Sequence, residues 1–169
     1  NEEFASDLAI KAGEKLFKEH NINKSCIDFL LYCTQSPEYF LPTTACILQD
    51  YLKISKNVGA LDFNLGCSGF VYGVSLAKGL INSGQVKNVL LVTAETYSKY
   101  IHPKDRSNRA IFGDAAAATL ISYDSNEHIG EFLFANDIHI HIFRTRVLAN
   151  HHTFIDISAD LTEDRAALL

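Results

Sequence analysis

The sequence predicts an α/β fold in which strands and helices alternate and pack in layers. Apolar runs of strand length alternate along residues 1–123 with segments whose apolar residues recur at helical spacing. One of these runs, ALDFNL, is followed at once by Gly66 and Cys67 and then by a helical pattern, as in a strand–turn–helix unit. Such alternation favours parallel pairing of the strands, with helices covering the sheet.

The first three elements are an amphipathic helix, a strand and a second helix. Apolar residues at helical spacing between Lys and Glu residues predict a helix over about 2–19. The run IDFLLYCT predicts a strand over 27–34, and a loop with two prolines follows over 35–42. Thr43 or Thr44 can cap a helix that runs to about Lys53.

The later elements repeat the alternation. In chain order the patterns predict a strand over 60–65, a helix over about 70–82, a strand over 86–93, a polar loop over 96–109 and a strand over 115–122. The helix before Gly84 is unusually apolar, with Ser, Gly and Ala between its larger residues. We therefore expect it to be buried on several sides.

Composition excludes several classes of protein. The chain has 169 residues, 47% hydrophobic and 21% charged, which is globular and neither collagen-like nor low-complexity. A net charge of -5 argues against a dedicated nucleic-acid binder. No apolar run approaches the roughly 18 residues of a membrane helix. The acidic, amphipathic start is unlike a secretory signal, so we expect a cytoplasmic location and no membrane partner.

The chain changes character near residue 124. Residues 1–123 hold 12 acidic and 12 basic residues, whereas 124–169 hold 8 acidic and 3 basic, which accounts for the whole net charge. Five of the seven His also lie between His128 and His152. We therefore divide the chain into an informative body, 1–123, and a divergent acidic, His-containing tail, 124–169.

Four cysteines are present, and their settings indicate free thiols in a reducing compartment. Cys26, Cys33 and Cys46 lie in or beside apolar runs, where a free Cys behaves as a small hydrophobic residue. No C-x-x-C pair exists, which excludes zinc-ribbon and thioredoxin-like motifs.

Cys67 has a different setting, at the turn between a strand and a helix. The dipole and free N–H groups of a helix N-terminus favour the thiolate form, which is a nucleophile, and can help to bind an oxyanion. Gly66 and Gly69 would let a thioester approach closely. The alternative is a core cysteine between glycines at a tight turn.

Three collinear stretches carry a resemblance to a known family. The stretch DFNLGCSGFVYG over 62–73 closely resembles the nucleophile region of β-ketoacyl-acyl-carrier-protein synthase III, in the thiolase superfamily. The stretch HPKDR over 102–106 is similar to the family's D-P-x-D-R loop, and IFGDAAAA over 111–118 is similar to its F-G-D-G-A-G-A segment. The resemblance implies a thiolase-like layered fold, of which these residues form a single incomplete half, a mixed sheet with a buried central helix.

The resemblance also implies an acyltransferase reaction in fatty acid synthesis. Cys67 would attack an acyl-CoA thioester, and malonyl-acyl-carrier protein would then condense with the acyl-enzyme through decarboxylation. Acyl-CoA is the substrate, and neither a metal nor a redox cofactor is required. The implied partners are the acyl-carrier protein and a second copy of the chain in a homodimer.

Four further residues acquire roles only through the resemblance. Arg106 would contact the nucleotide end of CoA; otherwise it is a solvated loop charge paired with Asp105. Tyr97 and Phe112 match positions that line the acyl pocket; otherwise they are ordinary core residues. Leu41 or its neighbour Phe40 would reach into the partner's pocket across the dimer. Asp114 is expected to be a structural hydrogen-bonding residue.

The sequence departs from the family pattern in its second part. The family's condensing step uses a His and an Asn in contexts resembling P-H-Q-A-N and G-N-x-S, and neither context is present. We therefore expect impaired condensation, and a truncated, frameshifted or fragmentary gene product would explain it. Two alternatives are a non-catalytic remnant or interaction subunit, and a starter-unit synthase of a polyketide or surface-polymer pathway.

The last feature is a histidine-rich stretch in the tail. His139 and His141 alternate, so on a strand they would face one side, and His151 and His152 follow ten residues later. Imidazoles could bind zinc or nickel, but no recognised ligand spacing is present, and we expect no metal site. The favoured interpretation is a solvated strand or a disordered tail.

Overall fold

The computed structural model describes residues 3–125 and the backbone of 132–134 and 143–145. The chain divides into two compact units, residues 1–123 and 124–169. In the second unit, the strands Phe132–Phe134 and Phe143–Thr145 form an antiparallel pair. The interpretation of the two parts as a partial thiolase-like half and a divergent tail stays a prediction.

The first unit alternates helices and strands as the sequence predicts. Its elements are α1 (Ala5–Glu19), β1 (Phe29–Cys33), α2 (Thr44–Tyr51), β2 (Gly59–Phe63), α3 (Gly69–Asn82), β3 (Asn88–Glu95), α4 (Arg106–Ile111) and β4 (Ala115–Ser122). Strand β4 has its predicted bounds, and Gly84, with a φ of 74°, follows the end of α3. The expectation of a plain loop over 96–109 is wrong, because a 3-10 turn at Tyr97–Lys99 and most of α4 form there.

The four strands form one mixed sheet in the order β2-β1-β3-β4. Strand β1 pairs in parallel with β2 and with β3, whereas β4 pairs antiparallel with β3. The predicted parallel pairing is confirmed for the first three strands. Their carboxyl ends therefore meet at one edge of the sheet, where the loops that follow them come together.

Helices cover both faces of this sheet. On one face α1 and α2 pack on a core that includes Leu30, Tyr32, Leu90 and Val92. Because successive strand residues point to opposite faces, Leu31, Cys33 and Leu91 face the other side. Helix α3 lies on that side, since Gly73 directly contacts the Leu91 side chain.

Helix α3 is buried on one side rather than on several. Its buried residues are the small ones, Gly69, Gly73 and Ala77, which follow each other at intervals of four and face the sheet. Phe70 and Leu76 on the remaining surface are 45% and 43% exposed. The first unit alone thus leaves part of the apolar surface of α3 uncovered.

Two of the helices begin at carboxylate caps. Thr43 is the residue before α2, but its side chain makes no cap hydrogen bond. The Asp62 carboxylate of β2 instead accepts hydrogen bonds from the backbone N–H groups of Thr44 and Ala45, both at 2.6 Å. Asp105 caps α4 by accepting from the Asn108 backbone N–H. Hydrogen bonds from Asn108 hold the pKa of the Asp105 carboxyl below its usual value.

Candidate active site

Cys67 lies in the turn that joins β2 to α3, with its side chain exposed. The turn is closed by a 2.8 Å hydrogen bond from the Gly69 N–H to the Gly66 carbonyl oxygen. Ser68 is the N-terminal flanking residue of α3, so Cys67 precedes the helix by two residues. This places the thiol beside a helix N-terminus and in contact with solvent, as expected for an accessible nucleophile.

Both glycines of this turn lie close to side chains of β1 and of the loop that follows it. A Cβ on Gly66 would lie 2.6 Å from the Gln35 amide oxygen, and a Cβ on Gly69 would lie 2.3 Å from the Cys33 sulfur. The space that glycine leaves is therefore occupied by side chains from the end of β1 and the loop after it. At Gly69 the buried Cys33 sulfur leaves no room for a Cβ, whereas at Gly66 the neighbouring atom is the end of the flexible Gln35 side chain, which can move. Close approach of a thioester to this turn stays a prediction.

A cavity of about 660 Å³ opens beside Cys67. Its walls come from the carboxyl end of β1, the β2–α3 turn, the carboxyl end of β3 and the start of β4. The lining residues include Cys33, Gln35, Phe70, Glu95, Tyr97, Phe112 and the alanines 115–117. In open α/β sheets, ligands bind at this edge, outside the carboxyl ends of parallel strands. The cavity has the volume of a small-molecule site.

Glu95 ties the ends of β1 and β3 together at the cavity wall. Its carboxylate accepts hydrogen bonds from the Gln35 backbone N–H at 2.6 Å and from the Ser36 hydroxyl at 2.8 Å. The Ser36 hydroxyl oxygen in turn accepts from the Thr96 N–H at 2.8 Å. These residues were not predicted from the sequence, although the single acidic residue at the end of the apolar run VLLVTAE is a signal for them.

Tyr97 and Phe112 stand next to each other at the cavity. Their ring centroids are 4.9 Å apart, and the rings are tilted by 40°. Asp114 lies nearby in sequence and accepts hydrogen bonds from the backbone N–H and the hydroxyl of Ser98, at 2.9 and 2.6 Å. Asp114 thus has the structural bonds that we expected of it, and it connects β4 to the turn that carries Tyr97.

Arg106 and Leu41 are not among the residues that line the cavity. Arg106 is the first residue of α4 and is exposed. Leu41 is 86% exposed and its neighbour Phe40 is 99% exposed, in the loop between β1 and α2. The structure of this chain therefore brings Cys67, Tyr97 and Phe112 together at one cavity without Arg106 or Leu41, and the roles of all five stay predictions.

The other cysteines differ from one another in burial. All four thiols are free; Cys33 is buried and Cys26 is half-buried. Cys46 is exposed on α2, so the expectation that it packs as a small hydrophobic residue is wrong. Burial raises the pKa of the Cys33 thiol to about 11, so this second thiol at the cavity stays protonated near neutral pH.

Neither a cluster of metal-ligating side chains nor a membrane-spanning helix is present among the described residues. Within the part of the chain that the structure describes, no three His, Cys, Asp or Glu side chains converge on a metal position. His139, His141, His151 and His152 lie outside the described residues. None of the helices among these described residues is both long and apolar enough to span a bilayer.

Comparison with known proteins connects this site to one family. The family model described as 3-oxoacyl-[acyl-carrier-protein (ACP)] synthase III matches residues 61–137, a range that begins in β2 and includes Cys67. A putative 3-oxoacyl-[acyl-carrier-protein] synthase 3 of Campylobacter jejuni is 44% identical over 123 residues. That match covers 72% of this chain and 35% of the relative.

A second curated relative and a solved structure carry the same family description. A β-ketoacyl-[acyl-carrier-protein] synthase III of Clostridium perfringens is 41% identical over 121 residues, which cover 72% of this chain and 37% of the relative. A 2.1 Å crystal structure of a 3-oxoacyl-(acyl-carrier-protein) synthase III matches with a TM-score of 0.77 and 52% identity, over 80% of this chain and 41% of that one. The chain thus spans well under half the length of the relatives that it matches.

Proposed function

This chain is a relative of the N-terminal part of the 3-oxoacyl-[acyl-carrier-protein] synthase III enzymes, and from this relationship we propose that Cys67 is the nucleophile of an acyl transfer. One observation supports the proposal above all: the exposed Cys67 lies at a helix N-terminus and at the wall of a cavity of about 660 Å³. A core cysteine, the alternative interpretation, would be buried and would have no such access.

In the proposed first step, the Cys67 thiolate attacks the carbonyl carbon of an acyl-CoA thioester. A new carbon–sulfur bond forms, the negative charge passes to the carbonyl oxygen, and the bond to the CoA sulfur then breaks. CoA leaves as a thiolate that takes up a proton. Backbone N–H groups at the start of α3 are suited to stabilise the oxyanion. The step requires no metal or redox cofactor, since acyl-CoA is itself the activated substrate.

In the proposed second step, malonyl-acyl-carrier protein loses CO₂, and the resulting carbanion attacks the acyl group on Cys67. A carbon–carbon bond forms, and the Cys67 thiolate leaves as the β-ketoacyl product is released. In the family that the chain resembles, this step uses a His and an Asn, each in a characteristic sequence context. Neither context is present in this sequence. We therefore assign the acylation step to Cys67 of this chain. We expect these 169 residues by themselves to be impaired in the condensation step.

Substrate binding is proposed for three residues. Tyr97 and Phe112 line the cavity and would contact the acyl chain, beside the small side chains of residues 115–117. Arg106 begins α4, whose C-terminal flanking residue is Phe112, so its exposed guanidinium lies one short helix away from the cavity wall. A guanidinium there suits the phosphates or the adenine of CoA.

A homodimer is proposed for the complete site. Phe40 and Leu41 expose almost their whole side chains in the loop between β1 and α2. Large apolar side chains that protrude in this way favour contact with another protein surface. We propose that Leu41 enters the pocket of a second copy, as the resemblance implies. The cytoplasmic location stays a prediction.

Intact-mass measurement after incubation with acetyl-CoA tests the proposal. We expect one acetyl adduct on the chain, none on Cys67→Ala, and an unchanged adduct on the matched control Cys46→Ala. An adduct that persists in Cys67→Ala would overturn the assignment of the nucleophile. If the unsubstituted chain acquires no adduct from acetyl-CoA or longer acyl-CoA thioesters, the non-catalytic interpretation replaces this one.

A further inference from the structure

Cys33 is a second cysteine at the cavity, and its sulfur contacts the backbone on both sides of Cys67. It is the last residue of β1 and is 3% exposed. Its thiol donates a hydrogen bond to the Leu65 carbonyl oxygen, with 3.1 Å between sulfur and oxygen. Leu65 lies two residues before Cys67 in the chain.

The same sulfur also lies against the start of α3. A Cβ on Gly69, two residues after Cys67, would come within 2.3 Å of it, so only a hydrogen fits between the Gly69 backbone and the thiol. The Gly69 N–H closes the turn onto the Gly66 carbonyl oxygen. One buried side chain therefore contacts the residues that enter and leave the turn.

The chemistry of a buried thiol suits this role. Sulfur is large enough to contact two segments of backbone, and the S–H is a weak donor for a carbonyl group. Burial among apolar groups keeps Cys33 protonated and unreactive, so it can donate to Leu65 without competing with Cys67 for an acyl group. Alanine would remove both the donor and the volume, whereas serine would keep a donor.

We propose that Cys33 is a positioning residue. Its side chain fixes the distance between the end of β1 and the turn that carries Cys67, and so directs the Cys67 sulfur toward the cavity. This inference rests on the proposed function, because it assigns a support to the nucleophile proposed there. Cys33 itself forms no bond with the substrate.

The test compares single and paired variants in the full chain. The rate constant for acetylation of Cys67 is measured as a function of acetyl-CoA concentration for Cys33→Ala, Cys33→Ser, Gly69→Ala and the pair Cys33→Ala with Gly69→Ala. Cys46→Ala is the matched control, because Cys46 is an exposed thiol on α2. Circular dichroism establishes that each variant is folded before its rate is compared.

We expect Cys33→Ala to lower the saturating rate about tenfold with little change in half-saturating concentration, since displacement of a reacting group by about 1 Å can cost on the order of 100-fold. Cys33→Ser should recover at least half of that loss on a logarithmic scale. Gly69→Ala should be slower still, and adding Cys33→Ala should accelerate it, because the clash with the sulfur is then removed. Relief of the clash would also follow from packing alone. The result that identifies a positioning role is therefore a lower saturating rate at an unchanged half-saturating concentration in folded Cys33→Ala, with recovery in Cys33→Ser.

Equal saturating rates for the unsubstituted chain and Cys33→Ala would overturn the inference while leaving the proposed function intact. If Cys33→Ala does not fold, Gly69→Ala decides instead: a Cβ there displaces the turn from the Cys33 sulfur, so a saturating rate equal to that of the unsubstituted chain overturns the inference. If the unsubstituted chain is not acetylated at all, the proposed function fails. The positioning role is then tested by alkylation with iodoacetamide, in which the alkylation rate of Cys67 is divided by that of Cys46 in the same protein. A ratio that is the same in the unsubstituted chain and in Cys33→Ala overturns the positioning role.

Discussion

The Asp62 carboxylate on β2 accepts a 2.6 Å hydrogen bond from the backbone N–H of Thr44, the first residue of α2. A second oxygen of the same carboxylate accepts from the next N–H of that helix. Asp62 therefore connects the start of α2 to the strand that leads directly into the Cys67 turn. Fold and candidate site depend on the same side chain.

Asp62→Ala should destabilise the chain, because it leaves two backbone N–H groups at the start of α2 without their acceptor. The expected loss is about 1–2 kcal/mol in the free energy of unfolding, the usual contribution of a helix cap. Urea denaturation measures it, with Asp50→Ala on the exposed side of the same helix as the control. Equal midpoints for the two variants would contradict the capping role.

Gly73→Ala should also destabilise the chain, because the new Cβ would lie 2.6 Å from a methyl carbon of Leu91. Overpacking of this kind costs about 1–3 kcal/mol. Gly79 is the matched control in the same helix, since a Cβ there has no neighbour within 4 Å. Gly79→Ala should stabilise by up to about 1 kcal/mol through helix propensity. In thermal denaturation we expect Gly73→Ala to lower the melting temperature and Gly79→Ala to raise it. A Gly73→Ala variant as stable as the unsubstituted chain would contradict the packing of α3 against Leu91.

Stability should fall as the pH rises above about 9. The pKa of the Cys33 thiol is raised from 9.0 to about 11 in the folded chain, so the unfolded state loses this proton first. The contribution of the protonated Cys33 thiol to the free energy of unfolding is therefore complete below pH 9 and is lost progressively up to about pH 11. The loss amounts to roughly 3 kcal/mol. Urea midpoints at pH 8 and pH 10.5 measure it.

Cys33→Ala should have a smaller decline over that pH interval than the unsubstituted chain, whereas Cys46→Ala, which removes an exposed thiol, should not. Burial also raises the pKa of Tyr32, so part of the decline should remain in Cys33→Ala. A decline that is identical in all three proteins would show that Cys33 is not its source.

Association should depend on the exposed apolar side of α3. Leu76 is 43% exposed on this side of α3. Leu76→Glu should therefore lower the fraction of associated chain that light scattering detects. The comparison is with Tyr51→Glu, which places the same charge at a 61% exposed aromatic residue of α2, on the other face of the sheet. A folded, monomeric unsubstituted chain would contradict this expectation.

Arg106→Ala should weaken the use of acetyl-CoA in acylation of Cys67. Loss of a charged hydrogen bond to the nucleotide should raise the half-saturating concentration about tenfold. Acetyl-pantetheine, which lacks the nucleotide, should react equally with both proteins. Arg109→Ala, in the same short helix, is the matched control. An equal loss with acetyl-pantetheine would assign Arg106 a structural role instead.

Local patterns in the sequence were sufficient for the order of the strands and of the helices α1, α2 and α3. Apolar periodicity identified α1, α3 and the strands because it reports which side chains must leave water. The chemistry of Cys67 was also local, since a strand, a glycine turn and a helix are contiguous in the chain. Helix α4 was missed because it is short and polar, and only its cap at Asp105 marks its start.

By itself, the sequence determined the alternating α/β order, the turn that carries Cys67 and the likeness to one family. The tertiary structure alone decided which distant residues meet that turn, namely Cys33 and Gln35, and that Glu95 binds the backbone of Gln35 beside them. The physical reason is that parallel pairing of β1 with β2 and β3 brings their carboxyl ends to one edge, across separations of about 30 and 60 residues. No local periodicity encodes contacts over such distances, because they arise only when the sheet assembles.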